Sequence, residues 1–353
     1  MNFKSYIQIR NNTYMELFGL AWEDFQTGQV FTHRPGITIS QQDNKEEATD
    51  TINSAQLHYD ASYANTTEWK KCLGVSTMTV QRLIGMTSKT FFRKHQITGF
   101  DSISMTHPVF DGDTLYSETT ILEKSPYTNN ANVGQLKVQT IGTNQHGDVV
   151  SKLIYDVTIF KKGCHPIELE LKGDYSEVTE DKFNGFSTTK DGKLKEEVGI
   201  FFEDLNIGET YLHQPGKTIT EQESLTHSLR SLDWNPLYID TNLSSKHLDE
   251  GDILMNPSFL LSAATACTTR TCGRVVANLA WENIQFVNEV KAGDTIYSET
   301  TILEKRESHS RPDQGIMKVE TRTRNQNGDI VISYERTFLI YKTGKGPYGH
   351  GMY

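Results

Sequence analysis

The sequence predicts an α+β protein made of two copies of one unit, each an antiparallel sheet wrapped around a single buried helix. Three observations carry this. GDTLYSETTILEK at Gly112–Lys124 returns as GDTIYSETTILEK at Gly293–Lys305 with one conservative change, and a match of that length does not recur by chance. One apolar segment of helical spacing stands in the middle of each copy, and runs of period-two alternation close each copy. The 353 residues suffice for two domains of about 150 residues each.

In chain order, each copy opens on a short acidic segment and a Pro-Gly turn. WEDFQTGQVFTHRPGITIS from Trp22 stands against FEDLNIGETYLHQPGKTIT from Phe202, a shift of 180 residues. A Ser or Thr then starts a polar helical stretch, which leads to INSAQLHYDASYA (Ile52–Ala64) in the first copy and LDWNPLYIDTNLS (Leu232–Ser244) in the second. Next comes the apolar helix. Val75, Met78, Leu83 and Met86 share one helical face, and in the second copy NPSFLLSAATA offers Asn256 as N-cap, Pro257 at the first helical position and small residues for close burial.

Strands follow. Met317, Val319, Thr321 and Thr323 alternate with polar partners, Asn327-Gly328 supplies a tight turn, and Ile330, Ile332, Tyr334, Phe338 and Ile340 resume. NQHGD from Asn144 and NQNGD from Asn325 mark the same hairpin in both copies. These boundaries give a first repeat over 1–163, a charged linker over 164–200, a second repeat over 201–344 and a tail over 345–353.

Composition removes several function classes. Net charge is -10 and the Lys and Arg residues are scattered, which argues against nucleic acid or an anionic membrane as partner. The stretch MNFKSYIQIRNNTYMELFGL lacks an apolar core of signal-peptide length, and no run reaches the roughly 20 apolar residues of a membrane helix. A cytoplasmic location is the expectation. Cys72, Cys164, Cys267 and Cys272 form neither a CxxC pair nor a disulfide framework. No P-loop, dinucleotide fingerprint or metal-ligand spacing is present, so neither metal nor redox cofactor is expected.

The two copies differ most tellingly where His58 stands against Tyr238. His33 and His213, by contrast, recur at equivalent positions and read as structural. Glu68–Lys94 gathers Lys70, Lys71, Arg82, Lys89, Arg93 and Lys94 against one acid, enough positive charge to face an anionic ligand.

The FEDxxxGxxxxHxxGxTI opening, the Asn/Asp-x4-His motif, the GDTLxSETxxLE segment and the NQxGD hairpin together resemble the MaoC-type acyl-CoA hydratases and dehydratases. Within them, the mesaconyl-CoA hydratase (β-methylmalyl-CoA dehydratase) type is the best match. The resemblance covers all but the linker and tail. It implies a double hot-dog fold and a hydro-lyase acting on an acyl-CoA thioester, with CoA as part of the substrate and no other cofactor. The acyl group it implies is short and branched, mesaconyl-CoA and 3-methylmalyl-CoA. Itaconyl-CoA, or trans-2-enoyl-CoA with (R)-3-hydroxyacyl-CoA, is the alternative, and a non-catalytic acyl-CoA-binding protein is the reading from another class. A homodimer is compatible with all of these.

Carried over residue by residue, the motif histidine is His58. The family's acid falls on Asn53, whose amide cannot accept a proton at neutral pH and could only orient water or the imidazole. His58 is then both base and acid. Gly74, at the start of the apolar helix, takes the place of the oxyanion donor. Lys70, Lys71, Arg82, Lys89 and Arg93 are the candidates for the CoA phosphates. The second copy keeps an acid, Asp233, and loses the histidine. In the eukaryotic two-hot-dog hydratases the histidine lies in the C-terminal repeat, whereas here it lies in the N-terminal one.

Overall fold

The computed structural model describes residues 4–16, 19–171, 181–244 and 255–350. The chain opens on a hairpin, β1 (Lys4–Arg10) and β2 (Thr13–Glu16). The first repeat follows with β3 (Val30–Thr32), β4 (Ile37–Thr38), α1 (Gln41–Asp50), α2 (Ala61–Thr66) and α3 (Ser76–Met86). Four long strands complete it: β5 (Lys94–Met105), β6 (Thr114–Pro126), β7 (Val133–Thr143) and β8 (Val149–Phe160).

A short helix α4 (Pro166–Leu171) and strands β9 (Asp181–Asn184), β10 (Phe186–Thr188) and β11 (Leu194–Glu196) come next. The second repeat repeats the order with β12 (Thr210–Leu212), β13 (Lys217–Thr218), α5 (Glu221–Arg230), α6 (Pro236–Ile239), α7 (Thr241–Ser244), α8 (Pro257–Cys267), β14 (Val275–Phe286), β15 (Thr295–Glu307), β16 (Gln314–Arg324) and β17 (Ile330–Tyr341).

The chain divides into two compact units. In the first, the sheet runs β10-β11-β3-β6-β7-β8-β5, with β4 paired to β6. In the second it runs β14-β17-β16-β15-β12-β2-β1-β9, with β13 paired to β15. The long strands pair antiparallel, β6 to β8 and β15 to β17 in chain order with β5 against β8 and β14 against β17, whereas β11 meets β3, and β2 meets β12, in parallel. Each sheet curls around one helix: α3 buries Met78, Thr79 and Leu83, and α8 buries Leu260, Ala263 and Ala264. This is the hot-dog arrangement, once per unit, and it agrees with the helix and hairpin positions expected from the sequence.

The near-identical segments of the two copies are fasteners. Ser117 and Ser298 each donate a hydroxyl hydrogen to a carbonyl of the wrapped helix, Leu83 O at 3.2 Å and Ala264 O at 3.1 Å. Lys124 of β6 and Lys305 of β15 cap the carbonyls of the WEDF and FEDL turns, with each ammonium over the ring of Trp22 or Phe202 at 4.5 and 4.6 Å. Gly134 and Gly315 let those rings lie flat on the sheet, since a Cβ would come within 2.2 Å of Trp22 or 2.1 Å of Phe202. Gln145 and Gln326 of the NQxGD hairpins tie down the Gly-Asp turns, reaching Asp113 Oδ1 at 3.1 Å and Asp294 Oδ1 at 2.7 Å.

The 164–200 segment does not behave as a bare linker. β10 and β11 extend the first sheet, and Glu196 at the end of β11 is buried against His33, with its Oε1 3.0 Å from Nδ1. Thr90 donates both its amide and its hydroxyl hydrogen to the same oxygen, at 3.0 and 2.6 Å, and the Arg34 amide donates to Oε2 at 3.0 Å.

The second unit repeats the circuit with Glu16 from β2, which meets His213 Nδ1 at 3.3 Å, the Gln214 amide at 3.2 Å and the hydroxyl of Thr271. The other imidazole nitrogen of each histidine meets a threonine of the repeated SETT segment, Thr119 or Thr300, at 2.8 Å. Charge in 164–200 suggested a linker because the apolar content of a three-residue strand is too small to register as periodicity.

Candidate active site

His58 closes a 3-10 turn, Gln56–His58, just after α1. Its approach is fixed by a Schellman turn: the Asn53 amide donates to Ala48 O at 2.7 Å and the Ile52 amide to Thr49 O at 3.2 Å. Ile52 adopts φ 59 in the position where glycine is usual, with its side chain 91% exposed, and Leu232 repeats this at φ 61. The backbone of His58 is held by α1, since Gln41 Nε2 and Asn44 Nδ2 both donate to its carbonyl, at 2.8 and 2.9 Å.

The imidazole is oriented from the other side. Its Nδ1 lies 2.8 Å from Leu73 O, and a carbonyl only accepts, so Nδ1 carries the hydrogen. Nε2 of the neutral ring is then left with its lone pair, the form a general base requires. Tyr238 holds the equivalent place in the second unit and presents no imidazole.

Asn44 is a site residue that the sequence reading passed over. It is buried, its Nδ2 also reaches Leu73 O at 3.0 Å, and its Oδ1 accepts the Val75 amide at 2.7 Å. One side chain thereby joins the histidine turn, the segment that orients the imidazole and the start of α3. The signal was an Asn in mid-helix, where it is a poor helix former.

The other candidates divide. Asn53 Oδ1 accepts the Ala55 amide at 3.0 Å, an Asx turn, which leaves its NH2 to donate to a ligand. Gly74 is not the oxyanion donor: its amide donates to Val109 O at 2.8 Å, and a Cβ there would meet the same oxygen at 2.8 Å. Glycine is needed for that close approach to Val109. The exposed amides of Ser76 and Thr77, in the first turn of α3, have no hydrogen-bond partner among the described residues. As donors at a helix N-terminus they are left to meet a ligand acceptor. In α8 the first position is Pro257, which has no amide hydrogen.

Two cations assigned to CoA are occupied in the scaffold. Arg93 is buried and paired with Glu168 at 2.6 Å, and Lys89 caps the Glu197 carbonyl. Proximity in sequence had grouped them with Lys70 and Lys71, but past the end of α3 the chain turns inward. Arg82 lies 3.7 Å from Asp43. Lys70 is exposed with a weak 3.5 Å bond to Asn65 O, and the exposed Lys71 lies 4.0 Å above the Phe110 ring.

These two lysines follow Trp69, which with Leu73, Gly74, Ser76, Met105 and His107 lines a cavity of about 270 Å³. Its volume is near the lower bound of about 300 Å³ for small-molecule sites. His58 does not line it, and reaches it through Leu73.

The family model for mesaconyl-CoA hydratase matches residues 177–346, the repeat that lacks the motif histidine. Residues 177–346 are thus similar to the mesaconyl-CoA hydratase family, and a 112-residue stretch of the chain is 30% identical to the Protein MaoC of Klebsiella aerogenes, 31% of this chain and 33% of that protein. The mesaconyl-CoA hydratase of Cereibacter sphaeroides is 29% identical over 163 residues, 42% of this chain and 43% of that protein. The mesaconyl-CoA hydratase of Haloarcula hispanica is 26% identical over 157 residues, 44% of each chain.

Both matches thus span less than half of the relative's length. A putative MaoC domain dehydratase from Chloroflexus aurantiacus aligns over 93% of this chain and 98% of its own at 18% identity, with a TM-score of 0.40. The hot-dog assignment of this MaoC-like chain rests on its own strand order and wrapped helices.

Proposed function

We propose that this MaoC-like protein is a hydro-lyase that reversibly hydrates a short branched enoyl-CoA thioester, mesaconyl-CoA to 3-methylmalyl-CoA. The observation that carries the proposal is the 2.8 Å bond from His58 Nδ1 to Leu73 O, which leaves Nε2 as the base on a ring tied to the segment that leads into α3. In the forward direction Nε2 takes a proton from water as its oxygen bonds to Cβ of the substrate. The C=C π electrons move onto the thioester oxygen, giving an enolate. The Ser76 and Thr77 amides stabilise that oxygen, and the imidazolium returns the proton to Cα.

The NH2 group of Asn53 is suited to donate to the attacking water, and Lys70 and Lys71 to meet the CoA phosphates. The mesaconyl-CoA hydratase relatives supply the acyl group in this reading. The test is loss of conjugated-thioester absorbance across a panel of enoyl-CoAs. His58→Ala and His58→Gln should lower kcat by about 100-fold or more with the fold intact. Unchanged turnover in either variant ends the assignment, and binding of acyl-CoA without turnover by the wild type would favour a non-catalytic acyl-CoA-binding protein.

A further inference from the structure

The groove between the polar helix and the wrapped helix is bridged at mid-helix in the first repeat, whereas in the second His227 and Ser258 cross it at the start of α8. In the first repeat Gln81 of α3 donates to Glu47 of α1 at 3.0 Å, and Arg82 reaches toward Asp43 at 3.7 Å. The counterparts of Gln81 and Arg82 in α8 are Ser262 and Ala263. Ser262 turns its hydroxyl back to Ser258 O at 3.0 Å, and Glu223, the counterpart of Asp43, is held instead by Lys217 at 2.6 Å and by its own helix cap. What remains is a cavity of about 470 Å³, lined by Gln222, Thr226, His227, Arg230, Ser231 and Phe259 together with Glu223.

Its charge has changed as well. Glu46, Glu47 and Asp50 of α1 are replaced in α5 by Thr226, His227 and Arg230. Arg230 is exposed, and its side chain has no hydrogen bond or ion pair among the described residues. The His227 ring lies 5.4 Å from Phe259, and its Nε2 lies 3.1 Å from Ser258 Oγ. Ser258 donates its hydroxyl hydrogen to Asn256 at 2.6 Å, so it accepts from His227 and fixes the ring hydrogen on Nε2. Thr226 accepts from Gln222 at 3.0 Å and keeps its own hydroxyl hydrogen for a ligand.

We propose that this groove binds an organic anion, with one carboxylate or phosphate held by Arg230 and Thr226 and a flat apolar body against Phe259 and His227. The guanidinium fork fits either oxyanion in bidentate fashion, and in a chain of net charge -10 a local cation at an open groove is where an anion is met. The site is independent of the His58 chemistry.

NMR titration of the full-length protein with benzoate, phenyl phosphate and neutral benzamide tests it. Both anions should bind saturably and benzamide at least about tenfold more weakly, and the stronger of the two anions identifies the natural head group. Arg230→Asp, matching Asp50 of α1, and Ser262→Gln, matching Gln81, should each weaken anion binding by about tenfold and leave enoyl-CoA turnover unchanged. His58→Ala should retain anion binding, so a failure of the hydratase reading stays separate. Absence of saturable binding by either anion, equal binding of benzamide, or indifference to Arg230→Asp overturns the proposal.

Discussion

Asn44 shows how much one buried amide can organise. It links the His58 carbonyl, the Leu73 carbonyl that orients the imidazole, and the Val75 amide at the head of α3. Asn44→Ala leaves a buried amide hydrogen without a partner, at a cost of about 1–3 kcal/mol, and frees the imidazole to turn. The expected result is a lower denaturation midpoint and a fall in kcat larger than any change in KM. An effect on KM alone would show that Asn44 does not position the base. At this scale the sequence exposed His58 through its contrast with Tyr238. It could not expose Leu73 or the engaged amide of Gly74, because main-chain partners leave no trace in residue type.

Between residues and units stand the hairpins that close each sheet, and the Glu196 of β11 gives them a pH signature. Burial pushes its carboxyl up, but the His33 imidazole, Lys89 and the Arg34 amide outweigh this and hold it below its ordinary 4.5. A depressed carboxyl stabilises the fold above its unfolded value and loses that contribution as pH falls through the folded one. Glu196→Gln should therefore cost about 3 kcal/mol near neutral pH, with the gap between variant and wild type narrowing as pH drops below 4.5. Urea midpoints measured across that range check it, and a gap that widens toward acid would refute it. The repeated GDTxYSETTILEK strand is legible at this scale in hindsight: its serine, threonine and lysine are each committed to the wrapped helix, the buried histidine or the opening turn.

Across the whole molecule, the hairpin that precedes each repeat in the chain completes the sheet of the other. β1 and β2 belong to the unit that contains 198–353, and β10 and β11 to the unit that contains 18–175. Deleting residues 1–16 should therefore lower hydrogen-exchange protection in β12 and β15–β17, which lose Glu16 beside His213, while β6–β8 keep theirs. Equal loss in both units, or loss in the first alone, would contradict this. Among the described residues no helix is long and apolar enough to cross a membrane.

The sequence by itself determined the duplication, the class of the fold, the helix that each sheet wraps and the residue pair, His58 and Tyr238, at which the copies part. Those features are written in local period and in the comparison of one copy with the other. Tertiary structure alone decided that Arg93 and Lys89 serve the scaffold, that Ser76 and Thr77 rather than Gly74 offer amides, that each hairpin completes the other repeat's sheet, and that Ser262 and Ala263 open a groove beside Arg230. Each of these depends on which partner a group meets after the chain has closed, and residues far apart in sequence set that.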